Sequence, residues 1–343
     1  MIRCPLCGLR LRDEAPRCPT HGAPPAAPET PADPASTPAW EPLAHDVREA
    51  ALARGYALTK VLGRGGFGLV LDAVRCADQR AVALKVCFPE QPVGVAQLAR
   101  EAAFLARVGP PAVPALYETG LLLDRPYLAM EKVAGETLAD ALVAAEGPMP
   151  LGRFGVLADA ILCTLAAVHQ HGIAHRDLKP ENVFLHEGAS NVTATLIDFG
   201  LANDASTRSS ERSASDEDDA IGTAEYMSPE QCAGAADADT RSDIYSLGAL
   251  FFEMITGAPP FYGKSADVRE AQQSRRPALL SSKVSCPAAL DQVIRRCLAK
   301  DRTQRYEDIE ALRAALAIAL TEAAPAAKTP QPAAAPAPAA PPR

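Results

Sequence analysis

The chain has 343 residues, is 48% apolar and carries a formal net charge of -8 with a pI near 5.4. That is ample material for a buried core and room for one or two domains plus linker. The acidic balance, with no basic tract, argues against a general nucleic-acid binder, whose phosphate-contacting surface is normally basic. The most apolar stretches, Val156 to Val168 and Leu247 to Ile255, are short for a bilayer and are interrupted by Asp159 and Glu253. Both therefore read as buried helices in a soluble protein, without membrane insertion.

In chain order, residues 1–22 come first and are too few to be held by a core alone. They contain Cys4-Pro5-Leu6-Cys7-Gly8 and Cys18-Pro19-Thr20-His21-Gly22, two Cys-x-x-Cys/His knuckles with ten residues between them. That spacing lets Cys4, Cys7, Cys18 and His21 close tetrahedrally on Zn²⁺, and a full Cys₃His set leaves no open position for catalysis. The expectation is a structural zinc in a module that resembles a zinc ribbon and serves protein docking or sensing. The N-terminus has no apolar signal region, so a cytoplasmic protein is expected, with its nine cysteines reduced or metal-bound.

Residues 23–42 form a Pro/Ala-rich, semi-rigid spacer that holds Trp40, and residues 321–343 are too poor in apolar bulk to fold and read as a disordered tail. Between them, residues 43–320 are patterned as a globular domain. An amphipathic segment, Leu43 to Ala53, leads into strand-like runs at Tyr56 to Leu62, Leu69 to Ala73 and Ala81 to Phe88. After Val133 the helical period takes over, at Thr137 to Ala145, Phe154 to His171, Asp243 to Thr256, Ala288 to Ala299 and Ile309 to Leu320.

The chemistry-bearing motifs fall inside this domain. Gly63-Arg64-Gly65-Gly66-Phe67-Gly68-Leu69-Val70 lies between two strand-like runs, where glycines let backbone approach phosphate oxygens without a Cβ. Lys85 follows in Val82-Ala83-Leu84-Lys85, and Glu101 lies in a helical run from Arg100 to Val108. Next come His175-Arg176-Asp177-Leu178-Lys179-Pro180-Glu181-Asn182, then Asp198-Phe199-Gly200, then Gly222-Thr223-Ala224-Glu225-Tyr226-Met227-Ser228-Pro229-Glu230. In these motifs and their order the sequence resembles the serine/threonine protein kinase family, and LGRGGFG, GTAEYMSPEQ and RSDIYSLGALFFEMITG look most like its bacterial members.

The resemblance implies an α+β bilobal kinase fold, with a β-rich N-lobe over about residues 56–133 and an α-helical C-lobe over about 134–320. It implies binding of ATP with Mg²⁺ or Mn²⁺ and transfer of the γ-phosphoryl group to serine or threonine hydroxyls of protein substrates, a reaction that asks the protein mainly for position and charge. Lys85 would hold the α- and β-phosphates with Glu101 pinning it, Asp198 and Asn182 would ligate the metal, Asp177 would accept the hydroxyl proton and Lys179 would reach the γ-phosphate. Lysine at 179 and Thr223 resemble the serine/threonine branch.

For the nucleotide, the resemblance places Gly63, Gly65, Gly66, Phe67 and Gly68 over the phosphates, and Leu62, Val70, Ala83 and Phe184 around the adenine. Met130 would be the gatekeeper, with backbone groups of Glu131 and Val133 bonding the ring. Asp243 resembles the aspartate that holds the catalytic loop, and Glu230 and Arg305 would pair beneath it. Glu136 and Glu181 resemble acidic positions that favour basic residues before the target.

Residues 201–221 are rich in hydroxyls and charge and occupy the place of an activation segment. A phosphate on Ser213 or Ser215 would pair with Arg176, and a transient homodimer would serve trans-autophosphorylation. The acidic run Asp216 to Asp219 is an alternative stand-in for that phosphate, or a solvated face. A pseudokinase scaffold is the rival function, disfavoured because every catalytic position is filled. No membrane helix is expected after the kinase-like domain, which separates the sequence from receptor-type bacterial kinases, so regulatory input is expected through the N-terminal module, a partner or the loop itself.

Overall fold

Apolar residues follow one another at Leu69-Val70-Leu71 and Ala81-Val82-Ala83-Leu84, so both sheet faces need cover, and a computed structural model of the chain supplies it. It describes residues 2–4, 6–12, 18–22, 41–65, 68–88, 92–188, 191–199, 224–234 and 238–321. At the N-terminus β1 (Ile2–Arg3) and β2 (Arg10–Leu11) form a small antiparallel hairpin, with Arg3 opposite Arg10. Helix α1 (Glu41–Ala53) begins two residues inside the expected spacer, since proline is tolerated in a first helical turn.

The main sheet comprises β3 (Tyr56–Gly65), β4 (Gly68–Arg75), β5 (Ala81–Cys87), β6 (Leu116–Leu122) and β7 (Arg125–Glu131) in the antiparallel order β3-β4-β5-β7-β6. Helix α2 (Pro92–Val108) follows β5 in the chain. Leu69, Leu71, Val82, Leu84, Val86, Tyr127 and Ala129 point to one face, where Val47 and Ala51 of α1 close a core. Ala83, Leu128 and Met130 point to the other, into the larger core shared with Leu98, Phe104 and Leu105 of α2. The period of two along each strand thus separates an outer core from the cleft.

The second lobe contains β8 (Glu136–Thr137), α3 (Leu138–Ala145), α4 (Leu151–His169), β9 (Val183–Glu187) and β10 (Val192–Leu196), with sheet order β10-β9-β8. It continues with α5 (Pro229–Cys232), α6 (Thr240–Thr256), α7 (Ser265–Ser274), α8 (Ala288–Cys297) and α9 (Ile309–Thr321). This is a mixed α+β architecture, with a sheet-rich front and a helical back. A Thr137/Asp140 capping box starts α3, and α6 ends on Gly257 at φ 85°.

Several elements differ from their expected extents. Helix α2 starts eight residues before Arg100, because Leu98 extends the buried stripe of Ala102 and Leu105 by another turn. Helix α7 had no visible period: only Val268, Ala271 and Gln272 of its ten residues are buried. Helix α6 opens at Thr240 on an Asp239 cap, so Asp243 sits in its first turn rather than at its start. Helix α4, at 19 residues, is long and apolar enough to cross a membrane by length and composition, longer than Val156 to Val168 suggested. It packs against β10, α6 and α9 here, and Asp159 on its outer side pairs with Arg313 at 2.6 Å.

Candidate active site and the N-terminal knuckle

Strand register assembles one wall of the cleft. Val70 lies opposite Gly63 on one side and Lys85 on the other, and Ala83 lies opposite Met130. Val70, Ala83, Lys85 and Met130 therefore share the face turned toward the second lobe. Phe184 pairs with Thr137 across β8 and β9, below that face. Leu62 is 42% exposed, Ala83 6% and Met130 8%, a gradient from the mouth inward. The Glu131 N–H donates to Ala115 O at 2.8 Å, which leaves the Glu131 carbonyl as its group for a ligand, while Val133 lies two residues past the end of β7. Lys132 reaches Asp72 at 2.8 Å, an ion pair along the cleft edge that motif matching did not foresee.

The glycine turn joins β3 to β4 through the pair Gly65 and Gly68. A Cβ on Gly68 would stand 2.1 Å from the Val86 carbonyl oxygen, so only glycine fits this close crossing of β4 over β5. Gly66 and Phe67 lie outside the described residues.

Lys85 Nζ donates to both Glu101 oxygens, at 3.0 and 2.8 Å, and stands 3.4 Å from Asp198 Oδ1. Burial opposes charge on Lys85, but Glu101 and Asp198 outweigh it and raise its pKa; burial also pushes Glu101 up against the pull of Lys85. The next side chain, Phe199, stacks 3.8 Å from Phe104 of α2 and 4.1 Å from His175, measured between ring centres. Helix α2 is thereby tied to the loop bearing Asp198.

The loop from His175 to Asn182 is held from below. Asp243 accepts from the backbone N–H of His175 at 2.7 Å and of Arg176 at 2.8 Å, and lies 2.8 Å from His169 Nε2. Arg176 at φ 67° and Asp198 at φ 53° are non-glycine residues in the left-handed region, each costing about 1–3 kcal/mol that the surrounding bonds must offset. Asp177 Oδ2 accepts from Lys179 Nζ at 2.8 Å and Asn182 Nδ2 at 3.1 Å, so the Asn182 amide oxygen is its atom for a cation. Burial raises the Asp177 pKa, and Lys179 lowers it in part. Glu230 and Arg305 form a two-pronged pair at 2.7 and 2.8 Å beneath this loop.

Cys4, Cys7, Cys18 and His21 bring one ligand atom each to within 4.8 Å of one another. Cys7 and Cys18 sulfurs are 3.7 Å apart, and His21 Nδ1 is 3.7 Å from Cys4 Sγ and 3.5 Å from Cys18 Sγ. Ligands around Zn²⁺ at ~2.0–2.3 Å would be spaced about 3.5–3.8 Å, so the four atoms fit. Burial opposes thiolate at Cys18, yet backbone N–H groups of Thr20 and His21 hold it down to about 6. Ser213, Ser215, Thr223, the acidic run and Trp40 lie outside the described residues.

Sequence reasoning missed Arg3, Arg10, Glu225 and Glu253, which meet between the knuckle and the second lobe. One signal was present: Glu253 interrupts the most apolar part of α6, and a buried acid there requires a cation.

The protein kinase domain family matches residues 56–316. Serine/threonine-protein kinase pkn2 of Myxococcus xanthus is 37% identical over 279 residues, covering 77% of this chain and 32% of that protein. Serine/threonine-protein kinase PknB of Mycolicibacterium smegmatis is 36% identical over 275 residues, covering 77% and 43%. The chain thus spans less than half the length of these curated relatives. Among solved structures, the Mycobacterium tuberculosis PknI kinase domain superposes with a TM-score of 0.59 at 25% identity, covering 78% of this chain and 96% of that one.

Proposed function

The chain belongs to the protein kinase family, of the bacterial serine/threonine type, and we propose that it passes the γ-phosphoryl group of ATP to serine or threonine hydroxyls of proteins. The observation that supports this most is the connected set of Glu101, Lys85 and Asp198 facing Asp177, Lys179 and Asn182 across one cleft. Phosphoryl transfer needs little covalent help from protein; it needs position and charge.

In this reading Lys85, steadied by Glu101, neutralises the α- and β-phosphates. Asp198 and Asn182 offer hard oxygen ligands for Mg²⁺ or Mn²⁺, which when bound supplies charge neutralisation at the phosphates. Asp177 orients the incoming hydroxyl and takes its proton as the new O–P bond forms and the bond to the β-phosphate oxygen breaks; burial, by raising its pKa, suits it to accept. Lys179, bonded to Asp177, follows the charge on the moving group. Leu62, Gly63, Gly65, Gly66, Phe67, Gly68, Val70, Ala83, Met130, Glu131, Val133 and Phe184 form the nucleotide site.

We further read residues 1–22 as a zinc module, 23–42 as spacer, 43–320 as kinase domain and 321–343 as tail, in the cytoplasm. Arg176 would receive a phosphate from Ser213 or Ser215. The test is a γ-phosphate transfer assay with full-length protein and site mapping. Asp177→Asn should cut transfer by about 10²–10⁴-fold while nucleotide binding persists; transfer that survives it undiminished, or none in the wild type to itself or any protein, overturns the reading.

A further inference from the structure

Arg3 and Arg10, paired across the β1–β2 hairpin, both leave the knuckle and enter the second lobe. Arg10 is 3% exposed. Its Nε donates to Glu253 at 2.7 Å, Nη1 to Glu181 at 2.8 Å and Nη2 to the Tyr226 hydroxyl at 2.6 Å. Arg3 Nη1 donates to Glu253 at 2.8 Å and back to the knuckle at the Gly8 carbonyl, 2.9 Å, while Nη2 lies 2.7 Å from Glu225 and 2.9 Å from Tyr226. Tyr226 completes the cluster by donating to the other oxygen of Glu253. The knuckle turn at Gly8, φ 75°, rests on the Tyr262 ring so closely that a Cβ would stand 2.7 Å from it.

The three carboxylates come from three separate elements. Glu181 is in the same loop as Asp177 and four residues beyond it; Glu225 lies in the motif that runs from Gly222 to Glu230; Glu253 rises from α6. Helix α5, which continues that motif, is fastened to the loop where Gln231 Nε2 donates to Arg176 O at 2.6 Å. The arginines therefore sit beside the catalytic loop, on elements that a protein substrate must meet. Burial disfavours charge on Glu253, and the two guanidinium groups outweigh it and bring its pKa below the ordinary range. With the knuckle lifted away, three carboxylates would stand together with two fork-shaped vacancies. Guanidinium fits these better than ammonium, because one Arg bonds carboxylate and phenol at once.

We propose that the metal knuckle is a built-in occupant of the substrate site: Arg3 and Arg10 fill an acidic receptor that otherwise takes arginines of protein substrates. Release of the knuckle, by loss of its metal or by a partner that binds it, opens that receptor. This rests on the kinase reading for its biological sense, but its test does not depend on turnover. The hairpin holds the two arginines at one spacing only while Cys4 and Cys7, which bracket its turn, are tied to Cys18 and His21, so the metal state controls the fit.

The experiment measures binding of a fluorescent peptide carrying two arginines before a serine, to the full chain in the presence of a non-hydrolysable ATP analogue. Arg3→Ala/Arg10→Ala, which keeps all four metal ligands, should bind it at least tenfold more tightly than wild type, with no gain for the same peptide bearing glutamines. Equal or weaker binding by a folded variant, or an equal gain for the glutamine peptide, overturns the proposal. Should the variant fold poorly, wild type carrying stoichiometric zinc serves instead: chelation should give the same gain and restored zinc should reverse it, whereas affinity unmoved by chelation overturns the proposal. A chain that binds in this way but transfers no phosphate refutes the enzymatic reading and leaves this one standing.

Discussion

Arg305 is fully buried and holds Glu230 through two hydrogen bonds, with Ser242 Oγ adding a third to the carboxylate. Burial opposes the ionised Glu230, but the Arg305 fork overrides it and holds the carboxyl at about 2. Removing one partner leaves the other charged and buried, so Arg305→Ala should destabilise the fold by about 3–5 kcal/mol. The sign with pH follows from the lowered pKa. The pair's stabilisation is fully present above the unfolded carboxylate pKa, ~4.3, and is lost as pH falls toward the folded value. Urea unfolding of wild type against Glu230→Gln should show a gap that is constant at neutral pH and closes below about pH 4. A gap independent of acidification would mean that the pair is held by packing alone.

Helices α6 and α8 approach each other at Gly248, where a Cβ would meet that of Cys297 at 2.7 Å and the Leu298 side chain at 3.1 Å. In an exposed helix Gly→Ala gains about 1 kcal/mol. Here the added methyl has no space, and overpacking of this kind costs about 1–3 kcal/mol. Gly248→Ala should therefore lower the melting temperature, and a rise would show that α8 gives way freely. Close packing also decides which elements are legible in the sequence. The strands β4 and β5 read as short apolar runs because both sheet faces are covered, and α4 and α9 carry stripes of helical period. Helix α7 buries three side chains, too few to make a pattern, and its place is set by Gln272 bonding the Ala224 and Glu225 carbonyls at 3.1 and 2.7 Å.

Between the two lobes and the knuckle, order is shared. Among the described residues the knuckle has a core of Cys4, Leu9, Leu11 and Cys18 with Cys7 at its edge, too small to stand alone, so metal and docking must hold it. Chelation of the full chain should therefore raise hydrogen exchange first at residues 2–11 and in the 224–226 turn that Arg3 and Arg10 touch, while β3 to β7 stay protected. A knuckle that remains protected without metal would show that the Arg3 and Arg10 contacts alone suffice. Glu225 marks the same junction: its Oε2 is 2.7 Å from Arg3 but has no aligned hydrogen-bond donor among the described residues, and burial pushes its carboxyl up to about 7.

The amino-acid sequence by itself determined the lobes, the order of the kinase motifs and the four candidate metal-ligating residues, because each of these is written in local spacing: glycines at a turn, apolar residues at period two or 3.6, cysteine or histidine three positions after cysteine. It could also place Lys85, Glu101, Asp177, Asn182 and Asp198 in one site, since their motifs occur together. Tertiary structure alone decided where the knuckle goes. Arg3 and Arg10 precede Glu253 by 250 and 243 residues, and nothing local links them. What joins them is that a carboxylate buried in the apolar C-terminal part of α6 cannot stay ionised without a cation, and the fold brings two to it.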